Sequence, residues 1–437
     1  MNLYRLLQAQ AARGRPVRVG LIGAGKFGSM FLAQVPTTPG IEVAAIADLA
    51  PDRARAACRT VGWDESRIAA TRFTDDATTL FAQGDIEVIV EATGHAGAGL
   101  AHAAAAIDAG QHVIMVNVEA DVLAGPLLAA RAARAGVVYS LAYGDQPALI
   151  CELVDWARAC GFRVVAAGKG TKYLPAYHAS TPDTVWGHYG LTEQAAREGG
   201  MNPQMFNSFL DGTKSAIEMA AVANATGLTT PPDGLAFPPC GTDELADVLR
   251  PAAEGGALHH DGQVEVLSSL HRDGTPVARD LRWGVYVAFE ATGAYAQRCF
   301  AEYGVVTDPS GRRSALYRPF HLIGLELNVS VLSAALRGEA TGAPDGFRGD
   351  VVATAKRDLR AGEVLDGEGG ALVWGKLLPA ARSLAIGGLP IGLASRLTLR
   401  RDVAIGTPLV WDDVAIDATD GAYRMRREME AAFANAA

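Results

Sequence analysis

Between the short aliphatic run Val17-Arg18-Val19-Gly20-Leu21-Ile22 and the apolar-periodic residues Met30-Phe31-Leu32 lies Gly23-Ala24-Gly25-Lys26-Phe27-Gly28. A GxGxxG sequence with a strand before it and a helix after it constrains this chain more than any other feature. The first glycine permits a tight turn, the second lets backbone approach a pyrophosphate, and the third lets the helix pack closely on the strand, with phosphate at the helix N-terminus. Gly23, Gly25, Lys26, Phe27 and Gly28 are therefore expected to hold a dinucleotide. A second aliphatic run, Val43-Ala44-Ala45-Ile46-Ala47, ends in Asp48, 23 residues after Gly25. An acid there hydrogen-bonds ribose hydroxyls and favours NAD(H), whereas Arg53 and Arg55 just beyond it suit the additional phosphate of NADP(H). Both cofactors stay open. The competing reading, a glycine turn that binds nothing, is disfavoured because strand, helix and acid are all in register.

The same alternation continues through Glu87-Val88-Ile89-Val90-Glu91-Ala92-Thr93-Gly94, an alanine-rich helix (101–109), the strand His112-Val113-Ile114-Met115-Val116, another helix and the strand Val137-Val138-Tyr139-Ser140. Strand and helix alternating at this length predict right-handed crossovers and a parallel sheet over residues 1–150. Ligands of such sheets bind at the carboxyl ends of strands, which places Ala92, Thr93 and Gly94 near the nicotinamide. His102 and His112 read as a helix-surface and a strand-end residue.

A length of 437 residues suggests two to three domains. Acid exceeds base, 48 Asp+Glu against 39 Lys+Arg, for a formal charge of -9. That balance disfavours nucleic acid or an anionic membrane as the main partner. The five cysteines are scattered, odd in number and without a CxxC pair, which fits a reducing compartment and argues against a structural zinc or iron–sulfur site. No run reaches 18 apolar residues, and residues 1–15 lack the apolar core of a secretory signal, so the expected location is cytoplasmic.

Residues 151–345 carry the polar groups expected of an α+β catalytic domain. Lys169 follows the run Val164-Val165-Ala166-Ala167, and Lys172 lies three residues on. Two lysines at a strand terminus suit a phosphate or carboxylate and can polarise a carbonyl. The run 177–189 has too little periodicity for a helix and reads as a functional loop. Within it His178 and His188 are candidates for proton transfer, with Asp183 to orient one of them. Residues 211–224 read as a helix on which Asp211, Lys214 or Ser215, and Glu218 share a face. One account is an intrahelical ion-pair row; the other puts Lys214 and Glu218 on the wall of a reaction chamber, with Asn202 and Asn207 extending its polar face. Glu290, His321 and Glu326 are weaker candidates, and 321–336 reads as one apolar helix. No His/Asp/Glu spacing marks a metal site, although Mg2+ or Mn2+ can arrive with a phosphorylated substrate. The absence of GxSxG argues against a serine nucleophile.

Near the end, Arg357-Asp358-Leu359-Arg360-Ala361-Gly362-Glu363-Val364-Leu365 and Arg401-Asp402-Val403-Ala404-Ile405-Gly406-Thr407-Pro408-Leu409 match in pattern 44 residues apart. They predict a small β domain over 346–420, closed by a helix within 421–437.

The segments Glu91-Ala92-Thr93-Gly94 and Gly110-Gln111-His112-Val113-Ile114-Met115-Val116-Asn117 resemble the cofactor domain of homoserine dehydrogenases. Those enzymes continue Asn-Lys-Ala with a catalytic lysine; here Asn117 is kept and Glu119 takes the approximate place of the lysine. Glu119 also suits a first helical turn. Gly168-Lys169-Gly170-Thr171-Lys172-Tyr173-Leu174-Pro175 and Gly199-Gly200-Met201-Asn202-Pro203-Gln204-Met205-Phe206-Asn207 are similar to homoserine-dehydrogenase-like oxidoreductases that end in a SAF domain. Their best known branch is the deoxyxylulose-phosphate reductoisomerase-like enzymes. The paired C-terminal elements resemble the SAF β-clip, shared with sialic-acid synthases and antifreeze proteins. The resemblance implies an oxidoreductase with a Rossmann domain, a catalytic domain and a β-clip, and a homodimer is expected. It acts with NADP(H) or NAD(H) on a small, anionic polyhydroxy, oxo or phosphorylated compound. In the reductoisomerase branch, which belongs to isoprenoid biosynthesis, rearrangement precedes reduction. The alternatives are a homoserine-type dehydrogenase without rearrangement and a dinucleotide-dependent sensor without turnover.

Overall fold

The protein is described by a computed structural model covering residues 2–434. It divides into two compact units: residues up to Cys151 with His321–Asp345, and Glu152–Phe320 with everything from Gly346.

The first unit is built on six parallel strands: β1 (Val17–Ile22), β2 (Ile41–Ala47), β3 (Arg72–Thr74), β4 (Val88–Glu91), β5 (His112–Met115) and β6 (Tyr139–Leu141). Their order is β3-β2-β1-β4-β5-β6, so the strand sequence reverses between β1 and β4. That doubly wound order is the Rossmann arrangement, and the reversal opens a crevice at the carboxyl ends of β1 and β4. The strands read as continuous aliphatic runs because helices cover both faces. The helix Val118–Ala135 starts on the Asn117 side chain, which accepts from the Ala120 N–H at 3.1 Å, and kinks at Ala124 (φ -154°) ahead of Pro126. Pro126 has no N–H to continue the ladder.

One helix of this unit comes from far along the chain. Asn328–Arg337 sends Val331, Leu332 and Ala334, with Leu327 before it, into the same core as Val17, Val19 and Ile114. The Ser330 hydroxyl accepts from the Tyr143 N–H at 2.8 Å, and Asn328 donates to the Thr38 hydroxyl at 2.9 Å. Here the structure departs from the sequence reading, which left residues up to 345 in the middle domain and ran one helix through 321–336. The chain turns at Gly324 (φ 71°), against Phe27 and Met30, and becomes helical only at Asn328.

The second unit holds a four-stranded mixed sheet of β7 (Arg163–Thr171), β8 (Gln263–Ser268), β9 (Val285–Glu290) and β10 (Arg313–Arg318), in the order β10-β9-β7-β8. Only β7 and β8 run parallel. The helix Thr213–Thr226 is buried almost all round, as an element packed on several sides must be. It lies against β8 and against two later strands, β11 (Gly349–Ala355) and β13 (Val373–Pro379). These two pair antiparallel, while β12 (Val364–Asp366), β14 (Ser395–Leu399) and β15 (Val414–Ala415) form a second small sheet.

The two similar C-terminal stretches meet each other. Leu359 and Val403 exchange backbone hydrogen bonds of 2.8 and 3.0 Å. Asp358 accepts from the Ile405 N–H, and Asp402 accepts from the Ala361 N–H, both at 2.9 Å. Each aspartate thus caps the loop of the opposite copy at the equivalent position. The closing helix, Gly421–Phe433, is fixed by the fully buried Arg426, which pairs with Asp350 at 2.6 Å and Glu430 at 2.8 Å and lies over the Phe347 ring.

Candidate functional site

In the first unit the glycine sequence forms the expected turn. Gly23 sits at φ 94°, and a Cβ there would stand 2.6 Å from the Ala92 carbonyl oxygen; one on Gly28 would overlap the Gly23 carbonyl. At Gly25 a Cβ would meet nothing within 4 Å, so this residue borders open space. It is also the N-cap of the helix Lys26–Gln34 and offers no side chain to the first N–H groups. Close backbone packing on one side and uncapped N–H groups beside open space on the other fit a dinucleotide pyrophosphate. Lys26 is exposed, whereas the Phe27 ring packs against the core and leaves only its backbone for a ligand.

Asp48, just past β2, accepts from the Ala24 N–H, the Ala50 N–H and the Arg53 guanidinium at 2.9, 2.9 and 3.2 Å. It ties the glycine loop to the end of β2. At the end of β4, the buried Glu91 carboxylate accepts from the Thr93 hydroxyl at 2.6 Å and meets the His102 ring at 3.2 Å. His102 is therefore a partner of this carboxylate as well as a helix residue. Ala92 and Gly94 lie on the loop after β4, with Gly94 exposed. Asn117 is spent on its helix cap, and its buried Nδ2 has no partner among the described residues; Glu119 stands in the first turn of that helix.

In the second unit, the expected catalytic residues fall into separate clusters. Lys169 lies inside β7 rather than after it, because the strand runs on to Thr171. Its ammonium is ion-paired with Glu218 of the helix Thr213–Thr226, with side-chain exposures of only 7% and 4%. This corrects the intrahelical ion-pair row: Glu218 is taken by Lys169. Asp211 lies before the helix and bonds Lys356 at 2.8 Å. Burial raises the Asp211 carboxyl, and the Lys356 ammonium works against that rise. Lys214, in the first turn of the helix, is half-buried.

The run 177–189 is not a loop; it holds the 3-10 turn Pro175–Ala179 and the helix Val185–Tyr189. Both ring nitrogens of His178 are engaged. The Asp211 carbonyl can only accept, so Nδ1 carries the hydrogen of the 2.7 Å bond, and Nε2 accepts from the Tyr173 hydroxyl at 2.9 Å. The ring stacks on Trp374 at 3.9 Å. Burial pushes its pKa down to about 4, with Lys356 and Lys376 adding to the effect. His178 is thus a neutral, packed group near pH 7 and is corrected as a proton-transfer candidate. Asp183 orients neither of its nitrogens. His188 lies beside Tyr177 and presents its carbonyl to the Lys172 ammonium at 2.5 Å. Burial lowers the Lys172 pKa, and Arg282 lowers it further. Glu290 is paired with Arg163 and Arg312. Among the described residues, no three His, Cys, Asp or Glu side chains are gathered so as to hold a metal ion, and no helix is long and apolar enough to cross a membrane.

The sequence reading missed Tyr173, Lys356 and Trp374, the last two from the β-clip. The buried Lys356 ammonium donates to the Ser180 and Gly370 carbonyls at 2.7 Å as well as to Asp211. Asn207 donates to the Gly369 carbonyl at 2.8 Å and accepts from the Ser180 hydroxyl at 2.6 Å. No local pattern marks Lys356; two of its partners, Ser180 and Asp211, lie more than 140 residues away in sequence.

Three consecutive stretches match known families. Residues 17–116 match an oxidoreductase family with an NAD-binding Rossmann fold, residues 144–327 match the catalytic domain of oxidoreductase DRL, and residues 350–415 match the SAF domain. With the fold and the glycine turn, these matches give the chain a Rossmann domain of an NAD-binding oxidoreductase family, a catalytic domain of the oxidoreductase DRL type and a SAF domain. No curated protein sequence matches the chain. Solved structures similar to parts of it include biliverdin reductase from Synechocystis sp. PCC 6803, at 18% identity over 36% of this chain and 48% of that one, with a TM-score of 0.27. Scyllo-inositol dehydrogenase from Lactobacillus casei matches at 16% identity over 37% and 47%, with a TM-score of 0.27. Levoglucosan dehydrogenase matches at 15% identity over 69% and 66%, with a TM-score of 0.32. The chain spans about half the length of the first two.

Proposed function

We propose that the protein interconverts a carbonyl and an alcohol on a small, anionic polyhydroxy or oxo compound. The observation that carries this reading is the buried Lys169–Glu218 pair in the unit that matches an oxidoreductase catalytic domain. A bound nicotinamide supplies or accepts the hydride. Lys169 orients the substrate oxygen, stabilises charge developing on it and donates the proton that completes an alcohol. Removed from water, an ammonium aimed at an oxyanion acts far more strongly than in bulk solvent. Glu218 holds that ammonium in place. His178 keeps Tyr173 and Trp374 in position and moves no proton.

The arrangement favours NAD(H) over NADP(H). Arg53, placed to take an additional phosphate, is paired with Asp48, and Arg55 is paired with Asp52 at 2.8 Å. In one assay with both cofactors, NAD(H) is expected to show the lower KM.

The test is nicotinamide absorbance over a panel of hydroxy acids, polyols, homoserine and phosphorylated ketoses, deoxyxylulose phosphate among them. Product analysis on the last decides whether rearrangement accompanies reduction. Lys169→Met is expected to lower kcat at least 100-fold, a loss of about 3 kcal/mol of transition-state stabilisation, with cofactor affinity unchanged. Full activity in that variant would remove Lys169 from the chemistry.

A further inference from the structure

Two cations of the second unit stand together without a carboxylate partner. Lys172 donates to a backbone carbonyl and lies 5.5 Å from the centre of the Tyr189 ring. Arg282 lies over Trp283 at 4.8 Å. Neither forms an ion pair with a described residue, in a protein whose acids outnumber its bases. Asp280, two residues before Arg282, accepts from the Arg282 backbone N–H at 2.8 Å and not from its guanidinium.

The fold brings the two together through a missing side chain. A Cβ on Gly170 would stand 2.8 Å from the Arg282 backbone nitrogen and would overlap the Leu281 carbonyl, so only glycine lets the 281–284 loop lie against β7. Lys172 follows the last residue of β7, and the charge of Arg282 reaches its ammonium. The Tyr189 ring lies beside Lys172, and the charge of Arg282 reaches the Tyr177 and Tyr189 phenols. Neither phenol hydroxyl has a hydrogen-bond partner among the described residues.

We propose that Lys172 and Arg282, with the Tyr177 and Tyr189 hydroxyls, form an anion subsite that takes the phosphate or carboxylate group of the substrate. It rests on the oxidoreductase reading only for the word substrate. Arg282 supplies the planar fork that matches an oxyanion, Lys172 supplies the point charge, and Lys169, held by Glu218, serves the carbonyl. The Lys172 ammonium, disfavoured by burial and by the charge of Arg282, is relieved when an anion arrives, which makes that anion a condition of tight substrate binding.

The test is calorimetric titration of the full-length protein with inorganic phosphate and, separately, with acetate, at constant ionic strength set with chloride. At least one anion is expected to saturate. Its affinity is expected to fall at least tenfold in Arg282→Gln and in Lys172→Gln, to recover in part in Arg282→Lys, and to stay unchanged in Lys169→Met. Phosphate binding alone identifies a phosphorylated substrate, and acetate binding alone identifies a carboxylate. Saturation by neither anion, or wild-type affinity in a folded Arg282→Gln, overturns the subsite. Melting temperatures of the variants separate lost binding from lost folding. Because binding is read without turnover, an enzyme inactive on every candidate that still holds phosphate through Arg282 would sink the redox reading alone.

Discussion

His178 shows how much a single side chain's surroundings decide. Its sequence neighbours, polar residues with an acid five positions on, suggest a proton carrier. Its partners in space, a carbonyl, a phenol and an indole, make it a neutral core group with a pKa of about 4. The unfolded chain takes up a proton on this histidine near its ordinary value of 6.5, while the folded chain refuses it until about 4. Stability from His178 is therefore complete above pH 6.5 and is lost as the pH falls toward 4, by about 3 kcal/mol. Denaturant midpoints at pH 7 and pH 4 check this: wild type should lose about 3 kcal/mol more than His178→Asn over that interval, and equal losses would refute it. Two buried acids pull the other way. Burial pushes Asp121 and Glu265 up to about 7, so the stability they give is present in acid and lost as the pH rises through 7. The glycine turn and Asp48 were readable because their geometry is set within some 25 residues. Lys169 and Glu218 were readable as chemical types but not as a pair. Lys356, Trp374 and Arg282 were invisible because their meaning lies in contacts made across the fold.

Among the elements, the paired C-terminal stretches show a repeat becoming a structural bond. Asp358 and Asp402 cap each other's loops, so the repeated Arg-Asp seen in the sequence is the means by which the halves recognise one another. Replacing either aspartate by alanine removes one cap and is expected to cost about 1 kcal/mol. Both caps join the same two loops, so the double variant should depart from the sum of the single ones by at least about 0.5 kcal/mol. Strict additivity in chemical denaturation would show that the loops are held independently. The strands of the first unit were legible as unbroken aliphatic runs. The helix before Asn328 was misjudged because apolar periodicity continues through Leu322 and Leu325, where the backbone turns at Gly324.

At the scale of the whole molecule, the first unit is discontinuous in sequence. Its sheet is complete by Leu141, but part of its core arrives with Leu327, Val331 and Leu332. Burying three such side chains contributes about 5–8 kcal/mol, comparable with the whole stability of a domain. A fragment ending at Cys151 is therefore expected to stay largely unfolded and bind no NAD(H). The same fragment joined by a flexible linker to residues 321–345 should recover both a cooperative unfolding transition and cofactor binding. Circular dichroism and cofactor titration decide between them, and a folded, binding-competent short fragment would contradict the assignment.

The same interruption sets a schedule during synthesis. Some 170 residues separate Cys151 from His321, and at 5–20 residues per second the ribosome needs roughly 10–30 s to make them. For that interval the nascent nucleotide domain waits with one flank of its sheet bare, open to chaperones and to other growing chains. The nucleotide domain's core is thus completed late in translation, once the missing helix has cleared the exit tunnel.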